Sequence, residues 1–478
     1  MNTSFEKSGP DHRLEGSAAR RRWPWHCALL SLVAILGAGC APRSTGDESS
    51  LAASNAATPA ATGQADATAV SPAPFLYDVE YPVMDYARPA TNNAVARLIQ
   101  RIEAGDVVLE ADPTRGYLDS LLKALDIDAA SQMLVFSKTS LQVDLITSAT
   151  PRAIYFNDDT YVAWVGGANT LEIATLDAAL GPVFYELAQP GAPQRGFERA
   201  LGQCLRCHDS FSMTGGGVPR FITGSGYTGR DGTLVAHEGW ILTSDRTPLR
   251  SRWGGWYVTG FHGDQVHLGN IAVRSVYELE RLEELRLGNI ETLDGVLDTS
   301  AYLTNRSDIV ALLVLEHQVR VQNAIVRANY DVRTALAAAA LDADAEVDLT
   351  SLGLDLEPLV EALFLAGEAP FTSPVRGTSG FADQFVARGP RDASGRSLRD
   401  LDLTMRLFRH PLSYAIYSPA FDALPRSARN SVYLRIAGVL DGRDDSPAYA
   451  RLTAEDRMAI AQILMQTKPE FAAAAARD

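Results

Sequence analysis

The chain is poor in cysteine: four in 478 residues. A disulfide framework is therefore excluded as its source of stability, and a paired-cysteine zinc site is excluded with it. Histidine is also sparse, at eight. Excess positive charge is missing: the formal net charge is -15, which argues against nucleic acid as a partner. The apolar run near the N-terminus, residues 28–39, covers 12 positions and is too short to span a bilayer comfortably. Phosphate-binding glycine loops and dinucleotide fingerprints are absent, as are internal repeats of 20–50 residues.

What is present begins with a targeting pattern. Arg20, Arg21 and Arg22 precede the apolar run, and small residues then lead into Cys40. That order reads as a signal peptide over residues 1–40. Leu36-Gly37-Ala38-Gly39-Cys40 is similar to a lipobox, in which Cys40 would become the lipidated first residue. Cleavage nearby without lipid is the competing reading. Residues 41–74, rich in Ala, Ser, Thr and Pro, predict a disordered tether with no means of building a core. Together these predict a periplasmic protein whose contact with a membrane is through a lipid anchor alone.

The rest reads as α+β. Residues 75–195 predict a small mixed α/β domain: helices near 93–104 and 115–125, then short β-rich runs ending at Val183–Leu187. Residues 196–478 predict a mainly helical domain, with a Gly/aromatic-rich loop region up to about 280. Its expected helices cover Asp308–Leu341 and the neighbourhoods of 355–366, 398–408, 427–440 and 453–466.

Cysteine arithmetic then isolates one motif. Cys27 lies in the signal and Cys40 at its end, so only Cys204 and Cys207 remain in the folded part, in Cys204-Leu205-Arg206-Cys207-His208. C-x-x-C-H is the attachment pattern for one covalent haem c. Two thiols two residues apart match the porphyrin's two vinyl groups, and the following histidine is placed as the proximal iron ligand. A thioredoxin-type CxxC needs no histidine there and belongs in a βαβ setting that the sequence does not suggest.

The opposite face of the iron has several candidates: His237, His262, His267, His317, His410, Met213 and Met405. His267 is the first choice and His262 the alternative, because flanking glycines let the backbone come close to a flat cofactor. For any of these histidines the plain alternative is a hydrogen-bonded structural residue. Trp253, Trp256 and Tyr257 read as core or cofactor-covering aromatics. Arg388, Arg391, Arg396 and Arg399 could hold an anion or a propionate, or form surface ion pairs.

From residue 75 to the C-terminus the chain resembles a family of exported bacterial single-haem c-type cytochromes. The resemblance rests on Tyr155–Asp159, Cys204–His208, Arg252–Gly260 (RWGGWYVTG), His267–Asn270, Leu315–Gln318 and Ser413–Pro425. It implies haem binding by Cys204, Cys207 and His208 and electron transfer to redox partner proteins in the periplasm. Members often carry Met where this chain has Leu268, so a ligand at that place would be lost here. Size favours a second class as well, an oxidoreductase with a catalytic haem or an adjoining pocket, because one haem can be wrapped by about 100 residues.

Overall fold

The computed structural model describes residues 83–476, apart from 195, 211, 212, 214–216, 236, 237 and 445. The expected signal peptide, Cys40, the tether and His237 lie outside the described residues. The described residues belong to one compact unit.

Two helices come first, α1 (Ala94–Glu103) and α2 (Leu118–Ala124). Asn93 caps α1 by accepting from the Ala96 N–H at 2.9 Å. Six strands follow: β1 (Met133–Val135), β2 (Arg152–Phe156), β3 (Thr160–Trp164), β4 (Thr170–Asp177), β5 (Gly181–Ala188) and β6 (Phe197–Arg199). They form one antiparallel sheet in sequential order; short turns join β2 to β3, β3 to β4 and β4 to β5, and longer loops make the two outer connections. β6 carries the sheet past residue 195, beyond the boundary expected from the sequence. One face, with Tyr155, Val162, Leu171, Ile173, Val183 and Leu187, packs on Leu98, Leu118 and Leu121 of α1 and α2. Phe156, Tyr161 and Leu176 point the other way, into a second core. Burial on both faces explains why these strands read as nearly continuous apolar runs.

After α3 (Gly202–His208) and a loop-rich stretch comes α4 (Ile309–Ala338), the axis of the second core. Buried Asp308 starts it, accepting from the N–H groups of Val310, Ala311, Thr378 and Ser379 at 2.7–3.2 Å. α4 is long and apolar enough to cross a membrane, but 83% of its most apolar stretch is buried inside the protein. Around it lie α5 (Glu357–Leu363), α6 (Phe381–Ala387), α7 (Arg426–Leu440), α8 (Ala454–Thr467) and α9 (Pro469–Ala475).

The helix expected over 398–408 does not form. Leu401 instead bridges Phe408 across a tight turn. The Asp402 carboxylate accepts from the Thr404 and Met405 N–H groups at 2.8 and 2.9 Å, and Glu368 accepts from Leu407 N–H at 2.7 Å. A local Asx turn and a buried acid thus take the donors that a helix would have used. Helices α6 and α9 went unanticipated; both are only seven residues long.

Candidate haem-attachment site

α3 stands where the sheet ends, and it contains the whole C-x-x-C-H motif. Leu205 is buried in the core beneath the sheet, which fixes the helix. Cys204 and Cys207, three apart, share a helix face. Cys204 is half-buried and Cys207 exposed, and both are free thiols. Burial, together with the nearby Glu172 and Glu186 carboxylates, pushes the Cys204 thiol up to about 12. It is therefore protonated and slow to form a disulfide. Glu172, Glu186 and Glu198 lie side by side across β4, β5 and β6. Burial raises Glu186, and the like charges on either side add to the effect.

His208 is held at three points. Its ring packs on Phe184 of β5, centroids 4.5 Å apart. Its backbone carbonyl accepts from the Arg220 N–H at 2.9 Å. Its Nδ1 lies 2.7 Å from the Arg220 carbonyl oxygen. A carbonyl can only accept, so Nδ1 carries the proton and Nε2 keeps its lone pair. Burial lowers the His208 pKa, against the opposing pull of the Arg220 bond, which keeps the ring neutral.

These residues fit a haem c. The thiols are free and lie on one helix face, and the imidazole is neutral, oriented and in the ligating tautomer. Neither thiol lies beside a histidine side chain. That is compatible with attachment, because the thiols address the porphyrin rim and the imidazole its centre. Among the described residues no group of three or more His, Cys, Asp or Glu could hold a bare metal ion.

His262 and His267 come together, ring centroids 4.7 Å apart, and both are buried. Trp253 meets His267 edge-on at 5.4 Å. Of the contacts that place His208, none involves a residue touching this pair. Gly269 N–H donates to His267 Nδ1 at 3.0 Å, so the proton of neutral His267 sits on Nε2. In that tautomer His267 is an N–H donor, and ligation through Nε2 would require giving up the Gly269 bond. Burial, with help from His262 and Arg286, lowers its pKa to about 3. His262 differs: neither of its buried ring nitrogens has a hydrogen-bond partner.

The remaining candidates are placed as follows. His317 is fully buried with both ring nitrogens bonded, Nδ1 to Asp245 at 2.8 Å and Nε2 to Ser413 Oγ at 2.8 Å. His410 Nε2 is buried without a partner, Met213 is half-buried and Met405 is 68% exposed. Each arginine of the 388–399 run has a carboxylate neighbour: Asp126, Asp400, Asp392 and Asp158 in turn.

Sequence reasoning missed the convergence on Glu316-His317-Gln318 of α4. Glu316 pairs with Arg252 at 3.0 Å, both 2% exposed. Gln318 accepts from Tyr414 and donates to the Asn157 carbonyl at 2.9 Å and to Tyr161 at 2.7 Å. Asp245 also receives Arg320 at 2.7 Å. Burial alone would raise the Asp245 pKa, but the bonds from His317 and Arg320 outweigh it and hold the carboxyl low. Four separate stretches of the chain, contributing Asn157, Arg252, Glu316–Gln318 and Ser413–Tyr414, thus meet in one buried polar network. The order Ser413–His317–Asp245 has the connectivity of a nucleophile relay, but Ser413 is sealed in the core and its Oγ also caps the Ala415 N–H. A nucleophile needs access, so the arrangement is structural. The signal that could have exposed the network is three successive polar residues directly after the unbroken apolar run Ile309–Leu315.

Searches against family profiles, curated proteins and solved structures find no match.

Proposed function

We propose that this chain is a c-type cytochrome that binds one haem through thioether links at Cys204 and Cys207, with His208 on the iron, and exchanges electrons with protein partners in the bacterial periplasm. The observation that carries this reading is the 2.7 Å bond between His208 Nδ1 and the Arg220 carbonyl. It leaves Nε2 free on a residue directly after two free thiols. Cys204 and Cys207 would hold the haem by adding their S–H across its two vinyl double bonds, each C–S bond and new C–H bond replacing an S–H bond and a π bond, with no oxidant consumed. Bound there, haem supplies a one-electron couple. The residues of this chain hold it, and the exposed Cys207 leaves one attachment edge open to a partner. The acidic chain suits a partner with a basic face. A lipid at Cys40 would keep the protein at a membrane surface.

A second reading, a haem-dependent oxidoreductase, is favoured by one cleft. Phe156, Asn157, Asp158, Gln318, Phe385 and Arg388 line it. Gln318 binds Tyr161, whose ring lies 4.8 Å from Phe221, the residue after Arg220.

The test is covalent haem after expression with export and maturation. Wild type should keep haem through denaturing electrophoresis, and Cys204→Ala with Cys207→Ala should not. A haem-stained band surviving in the double variant would overturn the proposal. The ferric spectrum separates the two readings. Low-spin iron indifferent to cyanide and peroxide goes against the oxidoreductase, and high-spin five-coordinate iron goes against plain electron transfer.

A further inference from the structure

Arg220 holds His208 from both sides, giving its N–H to the His208 carbonyl and receiving His208 Nδ1–H on its own carbonyl. Beside the packing on Phe184, the orientation of the imidazole therefore depends on the Arg220 backbone. The next residue, Phe221, is clamped from α4: its N–H donates to Asn323 Oδ1 at 2.9 Å, and Asn323 Nδ2 donates to its carbonyl at 2.9 Å. Both halves of one amide side chain are spent on one backbone residue. Phe221 itself is buried, with its ring 4.8 Å from Tyr161. Asn323 sits on the central core helix, which ties this short backbone segment to the most buried element of the fold.

We propose that Asn323 is a positioning residue for the iron ligand: by fixing Phe221 it holds the Arg220 carbonyl on His208 Nδ1–H and so sets the electron donation of the imidazole. This rests on the haem reading above. A firm Nδ1–H···O=C bond gives the ring more anionic character, which favours ferric iron. Loosening the bond favours ferrous iron. Partners of this kind change metal binding on the order of tenfold or more.

The experiment compares haem-loaded full-length wild type with Asn323→Ala and Asn329→Ala. Asn329 lies on the same helix and anchors the Ala179 carbonyl at 2.9 Å, well apart in the chain from the 208–221 segment. Asn323→Ala should raise the ferrous-to-ferric ratio at fixed ambient potential on the order of tenfold, equivalent to about 59 mV for one electron. The hyperfine-shifted ring signals of His208 should move with it. Asn329→Ala should lower thermal stability and leave both readouts in place. Where the alanine variant accumulates poorly, Asn323→Asp serves. It keeps the acceptor for Phe221 N–H and loses the donor, and it is read by the ring signals because its charge acts on the potential directly. Haem-loaded Asn323→Ala with wild-type potential and ring signals would overturn the proposal, as would equal shifts in Asn329→Ala. Wild type without covalent haem would instead overturn the reading on which it rests.

Discussion

Glu368 gives the sharpest test of how this interior handles charge. It is 6% exposed, and burial raises its carboxyl to about 7 against the opposing bond from Leu407 N–H. In the unfolded chain the same group titrates near 4.5. Between those values the folded protein holds a proton that the unfolded chain has released. Stability from this group is therefore full below pH 4.5, falls as pH rises to 7, and is flat above. Over the interval from 4.5 to about 7, at about 1.36 kcal/mol per pH unit, the loss comes to roughly 3 kcal/mol. Glu368→Gln keeps a side-chain oxygen for Leu407 N–H and cannot ionise. The variant should match wild type at pH 4.5 and exceed it by up to about 3 kcal/mol at pH 8. Urea unfolding followed by far-UV circular dichroism at four or five pH values measures the difference. Taking the difference cancels every other titrating group. A stability difference that does not change between pH 4.5 and 8 would refute the reasoning.

Two further outcomes follow from the network around α4. Glu316→Leu leaves Arg252 buried without its carboxylate and should cost about 3–5 kcal/mol, whereas Arg252→Met combined with Glu316→Leu should recover most of it; a double variant no better than the single one, by urea midpoint, would count against this. His317→Ala should destabilise by about 3 kcal/mol, because Asp245 and Ser413 are left unpaired in the core, yet should leave the Soret band where it is, since both ring nitrogens are already bonded. A Soret shift in that variant would place His317 on the iron.

Much of the secondary structure was legible because local periodicity and core burial agree. The spacing over 308–341 predicted α4 to within three residues at either end. The β-rich runs over 133–187 became β1 to β5 because each is apolar on a face that ends up covered. Agreement failed at 398–408. There the apolar spacing was helical, but Asp402 and Glu368 captured the backbone donors. A distant acid cannot be seen in a window of eleven residues.

The C-x-x-C-H motif was legible in full, because two cysteines and a histidine at fixed spacing are local facts. So was the choice among several histidines for a second ligand to the proposed haem, and the structure places those histidines differently. By its sequence setting His267 was the first choice for that place and His262 the alternative. Their hydrogen bonds separate them, since one Gly269 N–H sets the tautomer of His267 and nothing bonds the ring nitrogens of His262.

The sequence by itself determined the α+β order and the C-x-x-C-H motif on its short helix, since these follow from neighbours in the chain. Only the tertiary structure decided which ring nitrogen of His208 keeps its lone pair, because its partner is a carbonyl twelve residues on, in a peptide whose N–H, that of Phe221, donates to Asn323 of α4. It likewise decided that Ser413, His317 and Asp245 form a sealed brace. Hydrogen bonds are directional and short-ranged, so the state of a buried polar group is set by whichever atoms the fold brings within about 3 Å of it.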